Sequence, residues 1–401
     1  MTQNTYKISE LSTLIKRGIT PSYTKTSKVK VINQKCIRDY KLNLDLARYT
    51  DSEKKKISYE KYLKPFDVLI NSTGVGTLGR VAQIFEINGP ITSDSHVTIV
   101  RPNDQIINPL YFGYCLKSRQ KNIESLGEGS TGQTELSRVT LGDMQIDILE
   151  EIKEQKVIAN FLKVIDDKIE VNQQMNETLE EIAKTLFKSW FVDFDPVRAK
   201  VEGRSTGLSK EISDLFPNSF EESELGEIPS GWQISKLKSI IDVLGGHAFK
   251  SKDYTDKGVF VLRTKNFNDG IAEYLEDDVF LPESFLETHQ NFICEVFDYH
   301  LIMVGASIGK TGMIFPSMIP ALRNQNMWCF RPKEAKYSKL FTKFIVDIVS
   351  KKLLGFASGS ARDFFKKGDF RSHKLVIPRE EILNSFKSIT DPILTKMSNN
   401  L

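Results

Sequence analysis

The chain is 401 residues long, with 40% hydrophobic residues, 27% charged residues and a formal net charge of +3 at pH 7. That length suits two domains, and the composition is ordinary for a globular protein. No apolar run approaches the ~20 residues that a membrane span needs, and the N-terminal residues lack the apolar core of a signal peptide.

The spacing of cysteines and histidines argues against a disulfide-stabilised protein and against a metal-binding protein. The four cysteines are scattered without a Cys-x-x-Cys pair, which argues against a disulfide framework or a zinc site and fits a reducing cytosol. None of the five histidines stands at metal-ligand spacing from another. We therefore expect a cytoplasmic protein that has no metal site.

The N-terminal segment is basic. Between Lys7 and Lys41 only Glu10 and Asp39 interrupt a series of lysines and arginines, and residues 351–379 are similarly basic. Two basic segments suggest a polyanionic partner that is bound at separate places. Solvated surface charge is the alternative explanation of the same pattern.

Four short motifs along the chain resemble ligand-binding sequences. Residues 74–79 (GVGTLG) and 127–132 (GEGSTG) both satisfy the dinucleotide fingerprint G-x-G-x-x-G. Residues 108–111 (NPLY) differ by one residue from the NPPY-type loop of amino-methyltransferases. In residues 304–312 (VGASIGKTG), three residues separate the first glycine from the Gly-Lys pair. A phosphate-binding loop has four residues at this place.

A long helix is predicted to follow the first half of the chain. No glycine or proline occurs from Asp143 to Asp195, and apolar residues recur there with the heptad period of a coiled-coil seam. Asn172 and Asn176 interrupt the seam, where buried amides typically fix register and partner. The polar stretch at residues 200–224 is interpreted as a linker or irregular return.

A second helix is predicted at the C-terminus, with apolar residues on one face and a kink or restart at Pro392. We expect it to pack antiparallel against the connector helix, because a helix as long as the connector needs a packing partner. The residues expected to pack between the helices or against another subunit are Ile158, Leu162, Ile165, Ile169, Leu179, Leu186, Trp190, Ile382, Phe386, Ile389 and Ile393.

The two halves of the chain resemble each other at a constant offset. VKVINQKCIRD (29–39) aligns with VFVLRTKNFND (259–269), and INPLYFGY (107–114) aligns with YSKLFTKF (337–344), each 230 positions apart. Gly79-Arg80 falls on Gly309-Lys310 at the same offset. The chain is therefore predicted to contain two copies of one domain.

The repeat argues against the apparent motifs. Gly74 and Gly76 have no matching glycine pair in the second copy, the 127–132 pattern is lost there, and NPLY becomes SKLF. What the copies share is structural, with Asn108 or Ser338 as the N-cap of an amphipathic helix. We interpret the glycine loops as turns and expect no catalytic site.

Residues 150–200 carry the most specific resemblance to a known family. They look nearly throughout like the central region of the specificity subunits of type I restriction–modification systems. LGEIPSGWQISKL (225–237) is similar to the entry into that family's second target-recognition domain, and VLRTKNFNDG (261–270) resembles a motif near that domain's start. The resemblance extends over essentially the whole chain.

The resemblance implies an α+β fold with two tandem, pseudo-repeated mixed α/β target-recognition domains, separated by long helices packed as an antiparallel coiled coil. The implied boundaries are domain 1 at 1–149, a central helix at 150–192, a linker with domain 2 at 193–378, and a C-terminal helix at 379–401. The family's second conserved region usually runs further than this last segment. A second copy could supply that length, or part of the connector could stay unpaired.

The resemblance also implies a function. Each target-recognition domain would recognise one half of a bipartite site in double-stranded DNA, and the long helices would dock the modification (methyltransferase) subunits. The chain itself would be non-catalytic, with S-adenosylmethionine, ATP and Mg²⁺ bound by the modification and restriction subunits. No membrane partner is implied.

Small residues allow close backbone approach to DNA, while hydroxyl and cationic side chains bond phosphates or bases. For each candidate, an ordinary turn residue is the alternative interpretation. The candidates are Arg80, Ser130, Thr131, Gln133, Lys310, Ser360, Arg362, Lys366 and Lys367.

Two other functions compete. A stand-alone nuclease or methyltransferase would need a carboxylate cluster or a cofactor loop in at least one copy. An assembly protein whose repeats bind protein would show no salt-dependent binding of duplex DNA.

Overall fold

The computed structural model describes residues 2–129, 134–268, 270–357 and 365–401. The chain divides into unit 1, Met1–Lys168, and unit 2, Ile169–Leu401. The division lies inside one long helix, α4 (Ile152–Phe191), so this helix belongs to both units.

In unit 1, most of the short strands precede a group of short helices, and one strand follows that group. Its strands are β1 (Gln3–Lys7), β2 (Ser12–Arg17), β3 (Tyr23–Thr24), β4 (Val29–Ile32), β5 (Ile37–Arg38), β6 (Lys41–Leu42), β7 (Arg48–Thr50), β8 (Val68–Asn71), β9 (Val81–Gln83), β10 (Ile91–Ser93), β11 (Val97–Pro102) and β12 (Gln145–Leu149). The helices that precede α4 are α1 (Pro109–Lys117), α2 (Gln120–Ser125) and α3 (Arg138–Asp143).

Unit 2 has longer helices and a larger sheet. Its strands are β13 (Phe220–Ser223), β14 (Gly226–Pro229), β15 (Gln233–Lys236), β16 (Ile241–Gly245), β17 (Val259–Leu262), β18 (Phe267–Asn268), β19 (Gly270–Ala272), β20 (Phe280–Leu281), β21 (Tyr299–Ile302), β22 (Thr311–Met313), β23 (Ala321–Arg323), β24 (Met327–Pro332) and β25 (Lys374–Ile377). Its helices after α4 are α5 (Asp195–Val201), α6 (Lys210–Ser213), α7 (Leu237–Ile240), α8 (Phe285–Thr288), α9 (Lys339–Ala357), α10 (Lys367–Ser372) and α11 (Glu380–Asn400).

The two units share one strand topology. The order β2-β11-β8-β9 in unit 1 corresponds to β16-β24-β21-β22 in unit 2, and β10-β4-β7 corresponds to β23-β17-β20. The registers agree as well, since Lys30 pairs with Ile91 in parallel and Phe260 pairs with Ala321 in parallel, both 230 residues later. The predicted internal repeat is therefore confirmed.

The offset between the copies is not constant, however. In the hairpin strands β8 and β21 it is 231, because Val68 pairs with Val100 where Tyr299 pairs with Phe330. Gly74 consequently does have a counterpart, Gly305, and both glycines adopt positive φ, at 104° and 84°. The sequence comparison missed this match because it held the offset at 230.

A buried ion pair recurs at the start of the central hairpin in each copy. In unit 1 the Arg101 guanidinium donates to both carboxylate oxygens of Asp67 at 2.8 and 2.7 Å, and the Asp67 side chain is fully buried. In unit 2 Arg331 donates in the same way to Asp298 at 3.0 and 2.5 Å. Such bidentate bonds to a buried carboxylate are strong and geometrically specific, so they fix where β8 and β21 begin.

Helix α11 runs antiparallel to the C-terminal part of α4. Phe386 packs between Trp190 and Phe191, with ring centroids at 6.0 and 5.0 Å. At the far end, Asn172 Nδ2 donates to the Asn400 backbone carbonyl at 3.0 Å and Asn176 Nδ2 to that of Met397 at 3.1 Å. The last carbonyls of a helix have no intrahelical partner, and these two amides provide one.

The residues expected in the helix seam divide into two groups. Trp190, Ile382 and Phe386 are buried, and Leu186, Ile389 and Ile393 pack against the same core, while Leu179, Ile158 and Leu162 are partly exposed. Ile165 and Ile169 lie outside the contact with α11 and are 41% and 48% exposed, so their expected packing against another subunit stays a prediction. The seam with α11 begins only at Asn172, because the last residue of α11 stands opposite that position.

The stretch expected to be a linker, residues 200–224, contains secondary structure. It includes α6 and β13, and β13 pairs with β14 in an antiparallel hairpin. Phe216 is buried, with its ring 5.1 Å from that of Trp190. The polar composition hid the anchoring role of Phe216, which ties the stretch to the core of unit 2 together with Leu208, Ile212, Leu215 and Phe220.

We expect Asp298→Asn to lower the free energy of unfolding of unit 2 at neutral pH by about 3 kcal/mol. Removing one partner of a buried ion pair leaves the other charge uncompensated, at a cost of ~3–5 kcal/mol. We expect the lower end of this range because Arg331 keeps its contact with Glu295 at 2.7 Å. Urea unfolding of the full chain measures the change. Asp256→Asn, at an exposed aspartate, is the matched control and should change little.

The same variant has a defined pH dependence. Burial opposes ionisation, but the bonds from Arg331 and the Lys339 charge hold the pKa of Asp298 below its ordinary value. A lowered pKa contributes stability above the unfolded pKa of ~3.9 that is lost as pH falls through the folded pKa. The difference between wild type and Asp298→Asn should therefore narrow as pH falls below about 4, and a constant difference would contradict this assignment.

Candidate nucleic-acid interface

Two of the glycine loops that resembled cofactor motifs, residues 74–79 and 304–312, are hairpin turns, whereas residues 130–132 of the third loop lie outside the described residues. The Gly79 N–H donates to the Asn71 carbonyl at 2.8 Å, and the Gly309 N–H donates to the Ile302 carbonyl at 2.9 Å. Each loop leads from one strand to its antiparallel neighbour rather than into a helix. A phosphate-cradling loop opens a helix, so neither turn has the geometry of a nucleotide site. We call residues 72–80 and 303–310 the glycine turns.

Arg80 and Lys310 occupy equivalent positions at the end of the glycine turns. The Arg80 guanidinium donates to the Gly76 carbonyl within its own turn at 2.8 Å, and its side chain is partly exposed. Lys310 is exposed. In both copies the backbone carbonyl of this residue accepts from the strand before the turn, at 3.0 and 2.8 Å. The two cations are therefore presented by the same backbone geometry.

A second segment lies beside each glycine turn. The Leu136 N–H donates to the Ser72 carbonyl at 2.8 Å in unit 1, and the Phe365 N–H donates to the Met303 carbonyl at 3.0 Å in unit 2. Five predicted contacts immediately precede these segments and lie outside the described residues. They are Ser130, Thr131, Gln133, Ser360 and Arg362.

Lys366 and Lys367 follow the segment that lies beside the turn of unit 2. Lys366 is exposed and Lys367 is partly buried. Burial, followed by the nearby charges of Arg371 and Arg323, lowers the pKa of Lys367. Lys366 therefore directly follows Phe365, whose N–H bonds the glycine turn at Met303.

A third turn, just before β11 or β24, joins this surface. The Ser72 N–H donates to the His96 carbonyl at 2.8 Å, and the Met303 N–H donates to the Asn326 carbonyl at 3.1 Å. The His96 N–H donates to Asp94 Oδ1 at 2.9 Å, and burial raises the pKa of the Asp94 carboxyl. Sequence reasoning missed His96, because a single histidine without a spaced partner carries no signal.

Two side chains connect that turn to the 3₁₀ turn after β4. Gln34 Nε2 donates to the Thr73 carbonyl and lies 2.6 Å from the Thr73 hydroxyl. The hydroxyl in turn contacts His96 Nδ1 at 2.8 Å. We call Gln34, Thr73 and His96 the polar triad. Nothing in the sequence spacing of these three residues predicted that they meet.

The NPLY motif forms a helix start. Asn108 Oδ1 accepts from the Tyr111 N–H at 2.9 Å, and Pro109 is the first residue of α1. Ser338 Oγ accepts from the Phe341 N–H at 3.1 Å in the second copy. The predicted N-cap role is confirmed in both copies.

Two other features are absent from residues 2–129, 134–268, 270–357 and 365–401. Within these ranges no three His, Cys, Asp or Glu side chains gather in a way that could hold a metal ion. No helix there combines the length and apolar character needed to cross a membrane.

The chain is similar to proteins of one family. The model of the type I restriction modification DNA specificity domain matches residues 2–181 and 229–397. The specificity subunit of the type I restriction enzyme MjaIX of Methanocaldococcus jannaschii is 24% identical over 315 residues, which cover 78% of this chain and 68% of that protein. The HindI specificity subunit of Haemophilus influenzae is 32% identical over 159 residues, covering 39% and 34%.

A solved structure shares the fold. The crystal structure of the type I restriction–modification system S subunit from M. genitalium matches with a TM-score of 0.56 at 15% identity, covering 100% of this chain and 91% of that one. The two family-model matches fall on the two copies of the repeat. The relatives are named as specificity subunits and not as catalytic subunits.

If the cations at the glycine turn of unit 2 bind phosphate, Lys310→Ala and Lys366→Ala should weaken duplex binding equally for every DNA sequence. Each lost phosphate contact should also reduce the slope of log affinity against log salt by about 0.9. Fluorescence titration of a labelled duplex over a series of salt concentrations measures both effects. Lys184→Ala, which removes an exposed lysine paired with Glu181 on α4, is the control. An unchanged slope in both variants would exclude these two contacts.

Proposed function

The chain belongs to the family of type I restriction modification DNA specificity domains, and we propose that it is the non-catalytic subunit that selects the DNA site of such a complex. In this proposal each unit recognises one half of a bipartite site in double-stranded DNA. The observation that carries the proposal is the repeat itself. The same hairpin, turn and flanking segment occur twice, with different side chains at equivalent positions.

The chemistry of the turns supports DNA as the partner. Lys310 and Lys366 are exposed, and cations of this kind supply affinity through phosphates, whereas sequence is recognised by polar groups that meet base edges. The polar triad of unit 1 supplies such groups beside the glycine turn. A surface that combines both kinds of contact suits specific duplex recognition better than binding of a protein.

The proposal includes modification and restriction subunits as protein partners. Support comes from α4, on which Val157, Phe161 and Val164 are 69%, 66% and 66% exposed. Contiguous exposed apolar side chains commonly mark protein interaction sites. S-adenosylmethionine, ATP and Mg²⁺ would then be bound by those partners.

A cytoplasmic location is part of the proposal. Cys36, Cys115, Cys294 and Cys329 are all free thiols and all buried. Free thiols suit a reducing compartment, where DNA and the other subunits are also found.

Exchange of one unit's recognition segment tests the modular part of the proposal. Replacing residues 1–149 with the aligned segment of a family member should change one half of the recognised site and leave the other half unchanged. Selection of bound duplexes from a random library by the full chain, followed by sequencing, measures both halves. The reciprocal replacement of residues 229–378 is the matched control and should change the opposite half.

Two outcomes would contradict the proposal. If the wild-type chain binds no duplex in a salt-dependent way, the repeats bind something other than DNA. If either replacement alters both half-sites, the two units do not recognise DNA independently.

A further inference from the structure

We propose that the polar triad Gln34–Thr73–His96 determines the base sequence recognised by unit 1, with His96 presenting a hydrogen-bond donor and Gln34 an acceptor. This inference rests on the proposed function, because it names the residues that give one half-site its specificity. The three residues come from three segments, namely the 3₁₀ turn after β4, the glycine turn and the turn before β11.

The hydrogen bonds assign the direction of each contact. Gln34 Nε2 lies 2.6 Å from the Thr73 backbone carbonyl, which can only accept, so this atom is the amide nitrogen. It also donates to the Thr73 hydroxyl at 2.6 Å. The hydroxyl keeps one proton of its own, and His96 Nδ1, at 2.8 Å, is an acceptor within its reach.

The tautomer of His96 follows from this direction. A neutral imidazole carries one proton, and a ring nitrogen that accepts leaves that proton on the other nitrogen. With Nδ1 accepting from Thr73, the N–H of His96 is at Nε2. The His96 side chain is exposed, so this donor is available to a ligand.

The two ends of the triad differ in what they can bind. The Nε2–H of His96 can donate to guanine O6 or N7 or to thymine O4 in the major groove. The Oε1 of Gln34 can accept from adenine N6 or cytosine N4. Both side chains are already held by Thr73, so binding DNA would immobilise little additional side-chain freedom.

The equivalent positions in unit 2 keep one backbone hydrogen bond and change the side chains. The Ser72 N–H to His96 carbonyl bond in unit 1 corresponds to the Met303 N–H to Asn326 carbonyl bond in unit 2. Val304 follows Met303 where Thr73 follows Ser72, and a valine cannot connect its neighbours by hydrogen bonds. The triad is therefore a property of unit 1, and its loss should alter only one half-site.

An exposed cation adjoins the triad. Lys35 follows Gln34 directly and is exposed. Its role should differ from that of the triad, because contacts to phosphate carry no sequence information. Lys35→Ala therefore gives a control in the same turn, with weaker binding and unchanged base preference.

The experiment uses the full chain and a random duplex library, with sequencing of the bound fraction. His96→Ala and Gln34→Ala should each relax the preference at one or two base pairs of one half-site by about five- to a hundredfold, while the other half-site stays unchanged. Thr73→Val should weaken the preference at both positions, and Thr73→Ser, which keeps the hydroxyl, should retain it. Thermal unfolding of each variant identifies any loss that is due to misfolding.

The outcomes separate this inference from the proposed function. A wild-type chain that selects no site would overturn the proposed function and this inference with it. A wild-type chain that selects two half-sites, with His96→Ala and Gln34→Ala folded and selecting the same two, would overturn the triad alone. Asn326→Gly, which suits the positive φ of 70° at that position, should leave the half-site of the triad unchanged.

Discussion

The arrangement of the candidate interface depends on one buried contact, the bidentate pair between an arginine on β11 or β24 and the aspartate that precedes β8 or β21. Asp67 and Asp298 are both fully buried, so the register of the two paired strands is fixed at that end. A slip of one residue would turn every side chain of β8 to the other face of the sheet. The glycine turn and the turn before β11 both stand at the opposite end of this pairing, so the same contact determines which side chains meet there.

The two units therefore keep one frame and vary the side chains on it. Equivalent backbone bonds place His96 and Asn326 next to the glycine turns, yet one residue is an imidazole held by a threonine and the other an amide beside a valine. Affinity through phosphates requires only that cations such as Arg80 and Lys310 remain on the surface. Recognition of a particular base sequence requires the side chains that differ between the two units. A duplicated frame of this kind suits a protein that recognises two unrelated half-sites.

The sequence predicted the large features because they depend on patterns that extend over many residues. The repeat, the long helix and the antiparallel contact of Phe386 with α4 all follow from offsets and periodicity. The polar triad could not be predicted, because it unites side chains from three turns that only the fold brings together. Ile165 and Ile169 fit the heptad period, but periodicity does not tell how far a partner helix extends, and α11 reaches only Asn172. The glycine match between Gly74 and Gly305 was hidden by a one-residue change of offset.

In the proposed complex, both copies place the same two turns against DNA. Hydrogen exchange of the full chain, followed by mass spectrometry with and without a duplex that contains the selected site, can detect this contact in both units at once. We expect slower exchange at residues 72–80 and 94–97 in unit 1 and at residues 303–310 and 324–327 in unit 2. Protection confined to one unit, or to α4 alone, would contradict it.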